Sequence, residues 1–183
     1  GRTQKAISHR AAEAGIYEGL LREDPDDRSV QKFLVNARRA QAQLSLQTGD
    51  IDSAVSQLRE AVGLGKVLVA LDPSNTLVSQ IANTAMLELA EALMYLGTFQ
   101  SAHQQLDESA SLLNRLIAKD ANVLEWATLE CRISLIRAEL HLRGQNIQMA
   151  TAAITEADML LTRLIVQHEE QEELRFLHAV VAE

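Results

Sequence analysis

Apolar residues recur three and four positions apart along almost the whole chain. Over Thr3 to Glu23 they are Ala6, Ala12, Ile16 and Leu20, the mark of a helix with one buried face. Asp24-Pro25-Asp26-Asp27 interrupts the pattern. Proline disfavours helical geometry at the residue before it, and an aspartate can cap the helix that follows. The second helix is expected over Asp27 to Thr48, ending at Gly49, where a left-handed residue costs least. Asp50-Ile51-Asp52 opens a third, which runs to Leu71 and is closed by Asp72-Pro73-Ser74-Asn75. Asn75 or Thr76 to Leu96, Phe99 to Lys119, Asn122 to Arg143, Ile147 to about His168 and Glu170 to Val181 complete a set of eight helices. The links are short, so sequential helices should be antiparallel neighbours. No segment alternates with the period of two that a strand requires.

The pattern repeats every 48 residues. Ala54, Ala102 and Ala150 keep that step, and Ala6 lies one step earlier. Ala42, Ala90 and Ala138 keep it too, as do Leu58, Leu106 and Ile154, and Leu20, Leu68, Leu116 and Leu164. Asp24-Pro25 returns as Asp72-Pro73 and, weakly, as Asp120-Ala121. A fixed period of this size marks like units that bury apolar faces on one another. The alanines are expected where paired helices cross closely. Trp126 falls in register with Val78 and Val30, which makes it a core residue.

The residues around the turns resemble the tetratricopeptide repeat. Gly49-Asp50-Ile51-Asp52-Ser53-Ala54 is similar to the G-D-Y-D-E-A run of that family, Gly97-Thr98-Phe99-Gln100-Ser101-Ala102 resembles it too, and Gln145-Asn146-Ile147-Gln148-Met149-Ala150 is a degenerate third copy. Ala42, Ala90 and Ala138 match its first small position. Leu58, Leu106 and Ile154 match its large apolar position, and Ala61, Ser109 and Ala157 its second small one. Asp24-Pro25 and Asp72-Pro73 look like its closing D-P. The unit is longer by 14 than the usual ~34 residues. About seven extra residues fall in each helix, close to two turns, so each helix keeps its face. Long-helix variants look like the tetratricopeptide-like regions of bacterial transcriptional regulators, cyclases and protein kinases.

The resemblance implies an all-α, right-handed superhelix of antiparallel hairpins, whose first helices line a groove for a peptide or protein segment. The family's groove positions fall on Asn36, Arg39, Gln43 and Gln47, on Thr84, Leu87, Glu91 and Tyr95, and on Arg132, Leu135, Glu139 and Arg143. This set lacks the basic clamp expected for a terminal carboxylate. Arg39→Glu or Arg132→Glu is expected to lower affinity while melting holds. An alternative function is homotypic assembly through apolar stack ends, since Leu174, Phe176, Leu177, Val180 and Val181 crowd the last helix.

Composition narrows the field. The chain has 183 residues, 47% hydrophobic and only 3% aromatic. A core of Leu, Ala, Ile and Val within a single repeat domain is expected. Net charge is −8, which disfavours broad nucleic-acid or anionic-membrane binding. No stretch is long and apolar enough to span a membrane. Gly1-Arg2-Thr3 shows neither an initiator methionine nor a signal peptide, and a fragment of a longer cytoplasmic protein is the expectation.

Candidate chemistry is sparse. His9, His103, His141, His168 and His178 are scattered and no two stand four apart, so no metal site is expected. Cys131 reads as a small residue in a helix interface rather than a nucleophile. Gly63-x-Gly65 lacks phosphate-loop spacing and points to close packing or a bend. Glu169-Glu170-Gln171-Glu172-Glu173 reads as the start of the last helix. No base and nucleophile converge, so neither catalysis nor a cofactor is expected.

Overall fold

The structure, a computed structural model, describes residues 2–167. Among these it is all-α, with seven helices and no strand: α1 Arg2–Glu23, α2 Arg28–Gln47, α3 Ile51–Leu71, α4 Thr76–Tyr95, α5 Phe99–Ile117, α6 Leu124–Arg143 and α7 Ile147–Gln167. Sequential helices pack on one another as antiparallel neighbours at α1–α2, α2–α3, α3–α4 and α6–α7. The eighth helix expected from Glu170, its apolar residues and the acidic run lie outside the described residues. The chain divides into two compact units, Gly1–Gln105 and Leu106–Glu183, with the boundary inside α5.

The same two turns recur at each step of 48. After α2 the Gly49 amide donates to the Leu46 carbonyl at 3.1 Å and the Asp50 amide to Ser45 at 2.9 Å. After α4 the Gly97 amide donates to Met94 and the Thr98 amide to Leu93. After α6 the Gln145 amide donates to Leu142 and the Asn146 amide to His141. This double bond satisfies carbonyls that the helix end leaves open, and it needs a left-handed residue after the cap. Gly49 and Gly97 supply φ of 79° and 81° freely; Gln145 holds φ 58° with a side chain. The turns thus fall at Gly49, Gly97 and Gln145, as the repeat requires.

The other turn is built on aspartate. Asp24, Asp72 and Asp120 each accept at Oδ1 the amide two residues on, at 3.2, 3.2 and 3.0 Å. The Ser74 hydroxyl also donates to Asp72 and holds that carboxyl below its usual range. The N-cap of the next helix lies three residues later. Asp27 caps α2 by accepting from the Ser29 and Val30 amides, and Asn75 caps α4 by accepting from Val78. Val123, the third equivalent, has no side chain that can cap α6.

Within the first unit α2 packs on α1, α3 and α4, and α3 packs on α4. The α4 helix is buried on nearly every side, from Val78 through Met94. In the second unit α6 packs on α7. Every alanine in the two 48-residue series from 42 to 150 is buried. Leu58, Leu106, Ala61, Ser109, Ala157 and Trp126 are buried as the repeat required, and Ile154 is half-buried. The two glycines of α3 differ. A Cβ on Gly65 would come within 3.0 Å of the Ala82 Cβ, so the α3 and α4 backbones close there, whereas one on Gly63 would meet nothing.

The third repeat carries two local defects, and both can be repaired. Val123→Asp should stabilise the protein by about 1 kcal/mol by restoring a cap. Gln145→Gly should do so by a similar amount by relieving left-handed backbone. Urea unfolding of each variant checks this, with midpoints expected above that of the parent.

Candidate interaction surface

Two adjacent arginines of α2 organise the first unit. Helical neighbours in sequence point about 100° apart, so Arg38 and Arg39 reach different neighbouring helices. Arg38 donates to Glu18 of α1 and to Gln41 at 2.9 Å, and its Nε lies 2.7 Å from a Glu60 carboxylate oxygen of α3 as an ion pair without hydrogen-bond geometry. Both carboxylates are well exposed, at 43% and 52% of the side chain, so solvent screens these pairs and each is worth little.

Arg39 is different. Its guanidinium grips Glu88 of α4 with two bonds of 2.8 Å, from Nε and Nη2. Gln43 adds a third to Glu88 at 3.1 Å, and Asn36 accepts from Arg39 Nη1 at 3.1 Å. Side-chain exposure is 19% for Arg39 and 10% for Glu88. A fork-to-carboxylate pair of this kind is directional, and removing either partner strands a charge away from water. Of the groove positions in the first hairpin, Arg39 and Gln43 are therefore tied to a neighbouring helix, and Asn36 is bonded to Arg39 on its own helix. The expectation that Arg39→Glu leaves melting unchanged is corrected: it would set a second carboxylate against Glu88.

The remaining groove positions separate clearly. Gln47 is exposed at the end of α2, and Tyr95, its equivalent on α4, is 54% exposed. Thr84 is half-buried and donates to the Gln80 carbonyl at 3.0 Å, and Glu91 is half-buried. Leu87 is fully buried and lines no groove. In the second unit Arg132 and Leu135 are half-buried, and Arg143 donates to Glu139 at 2.6 Å one turn away. Glu88 was missed by sequence reasoning. Its signal was a carboxylate between Leu87 and Leu89 within the apolar stretch Ala85–Ala90.

A second concavity lies in the first unit, a groove of about 300 Å³ over Val62, Leu89 and Leu93, rimmed by Arg59, Lys66 and Gln104. The open side of Gly63 forms part of it.

Candidate chemistry stays dispersed. No cluster of three or more His, Cys, Asp or Glu among the described residues is placed to hold a metal ion. Cys131 is buried against Leu161 and Leu164. Loss of solvent, aided by the charge of Glu130, pushes its thiol up to about 12. Glu130 is itself raised, first by burial and then by Glu156 on α7.

No protein-family model and no curated protein matches the sequence. Among solved structures the chain is similar to BtubC (BKLC) from P. vanneervenii, with a TM-score of 0.66 and 17% identity over 97% of this chain and 63% of that one. It thus spans just under two thirds of that protein's length, and the likeness is one of fold alone. A DHF79 filament chain is similar at 16% identity over 98% of this chain and 97% of that one, with a TM-score of 0.37, too low to bear on the fold.

Two outcomes test this surface. Arg39→Leu and Glu88→Ile, the residue types that later and final repeats carry there, should each cost about 2–3 kcal/mol, less than a fully dry pair because Arg39 keeps some solvent. The double variant should recover most of that loss in urea unfolding. Cys131 should react with a thiol reagent at pH 8 roughly a thousandfold more slowly in the folded protein than after denaturation, because so little thiolate forms.

Proposed function

We propose that this chain is a non-catalytic helical-repeat module of the tetratricopeptide-like kind, which binds a protein or peptide segment. The binding face is the one α2 and α4 share, and the setting is a bacterial regulatory protein of the cytoplasm. No direct contact with nucleic acid or membrane is part of this reading. The net charge of −8 favours that choice, and no helix among the described residues is long and apolar enough to cross a membrane.

One observation carries the reading. On the ends of two neighbouring helices, Gln47 and Tyr95 stand at equivalent repeat positions and face solvent, beside a floor locked by Arg39, Glu88 and Gln43. A tyrosine gives large contact area at small entropic cost, and an amide can pair with the backbone of an extended segment. A rigid floor lowers the ordering that binding must overcome. The fold likeness to BtubC is compatible with this and carries no partner across.

Selection of peptides from a displayed library on the immobilised chain tests the proposal. Selected peptides should lose affinity by about tenfold or more on Tyr95→Ala, and less on Gln47→Ala, with thermal melting unchanged. Peptides that bind equally well to both variants, or a library that yields no binder, would remove the α2–α4 face from consideration.

A further inference from the structure

The outer face of α1 is uncovered, and the repeat says what fits there. Ile16 is 62% exposed and Leu20 44% exposed. Moving along by the 48-residue step, Ile16 corresponds to Leu64, Leu112 and Leu160, and Leu20 to Leu68, Leu116 and Leu164. Each of those six is buried or half-buried. What covers them is visible at two places. Leu160 and Leu164 of α7 pack against Leu124, Ala127 and Cys131 of α6, the helix just before it. Leu64 of α3 packs into the cluster that holds Leu34 and Ala37 of α2, again the helix just before it. Among the described residues no such helix covers the corresponding face of α1. Its other side is already used: Ala14, Tyr17 and Leu21 join Leu34 and Ala37 of α2.

The bare face is shaped for close approach. Ile16, Gly19 and Leu20 line a shallow groove of about 460 Å³ with Arg22 and Glu23 at its end. A Cβ on Gly15 would meet nothing within 4 Å, and one on Gly19 only the tip of Arg22 at 3.9 Å.

The geometry points to a docking site on α1, at Ile16, Gly19 and Leu20, for one antiparallel amphipathic partner helix of the α2, α4 and α6 kind. Continuity with the α2–α3 and α6–α7 hairpin interfaces names this occupant. The same side-chain positions of the second helix are covered by the first in both hairpins, and only a helix with small and apolar residues on one face can reach so near a glycine-bearing partner. The site is independent of the face that α2 shares with α4.

The repeat also dictates the test. Ile147 and Thr3 are equivalent positions, so the segment Leu124–Asn146 can be joined directly before Thr3 in register. In the extended chain the amides of α1 should exchange at least about tenfold more slowly than in the parent, and the melting temperature should rise. Leu20→Asp should erase both gains in the extended chain while leaving the parent's melting unchanged, because Leu20 faces water there. A synthetic peptide of Leu124–Arg143, with serine at Cys131, should slow the same amides when added to the parent in excess, which covers an extended chain that fails to fold. Unchanged exchange with both extension and peptide would overturn the proposal. So would a parent that sediments as a dimer and is dissociated by Leu20→Asp, since a second copy would then be the occupant.

Discussion

The fold depends on small side chains buried between its helices. Ala42, Ala54, Ala90, Ala102, Ala138 and Ala150 are all buried. Gly65 takes the same idea further, since a Cβ there would stand only 3.0 Å from the Ala82 Cβ. Burying an alanine contributes little apolar area of its own. Its value is that it lets larger neighbours such as Leu58, Leu93 and Leu106 reach full contact, and dispersion between close-packed atoms falls off within a fraction of an ångström. The 48-residue period follows: helices of equal length, closed by equal turns, return a small residue to each crossing.

Turns enforce that register chemically. Two devices alternate, a left-handed residue after each first helix and an aspartate that accepts the amide two residues on after each second helix. Both depend on local sequence, which is why they were legible before any coordinates. Gly49 and Gly97 read directly, Gln145 read through the period, and the three aspartates read as breaks. The alanine positions and the buried Trp126 were legible for the same reason, since a period converts one good assignment into several.

Other features were not legible, and they share a cause. Sequence spacing tells which face of a helix a residue lies on, but not which neighbour that face meets or at what angle. Arg39 lay on the expected face, yet the crossing of α2 with α4 brings Glu88, 49 positions away, under its guanidinium. Leu87 lay on it too and is turned fully into the core. Gly63 and Gly65 looked alike, but one faces open space and the other a backbone. Ile16 and Leu20 carried the same pattern as their covered equivalents, and their exposure depends on which helices surround α1. The network around Glu88 also explains why two arginines stand together in α2. The pairs of Arg38 to exposed carboxylates are screened, while the more buried pair of Arg39 joins the two first helices α2 and α4 directly.

The central claim is that alanine at the crossings sets the distance between helices. Urea unfolding of Ala90→Leu tests it most directly, with Ala11→Leu on the exposed side of α1 as the reference. Overpacking a closed crossing should cost about 1–3 kcal/mol and lower the midpoint, while the reference variant stays at the parent's value. A midpoint for Ala90→Leu equal to the parent's would show that the crossing has room to spare, and would contradict the account.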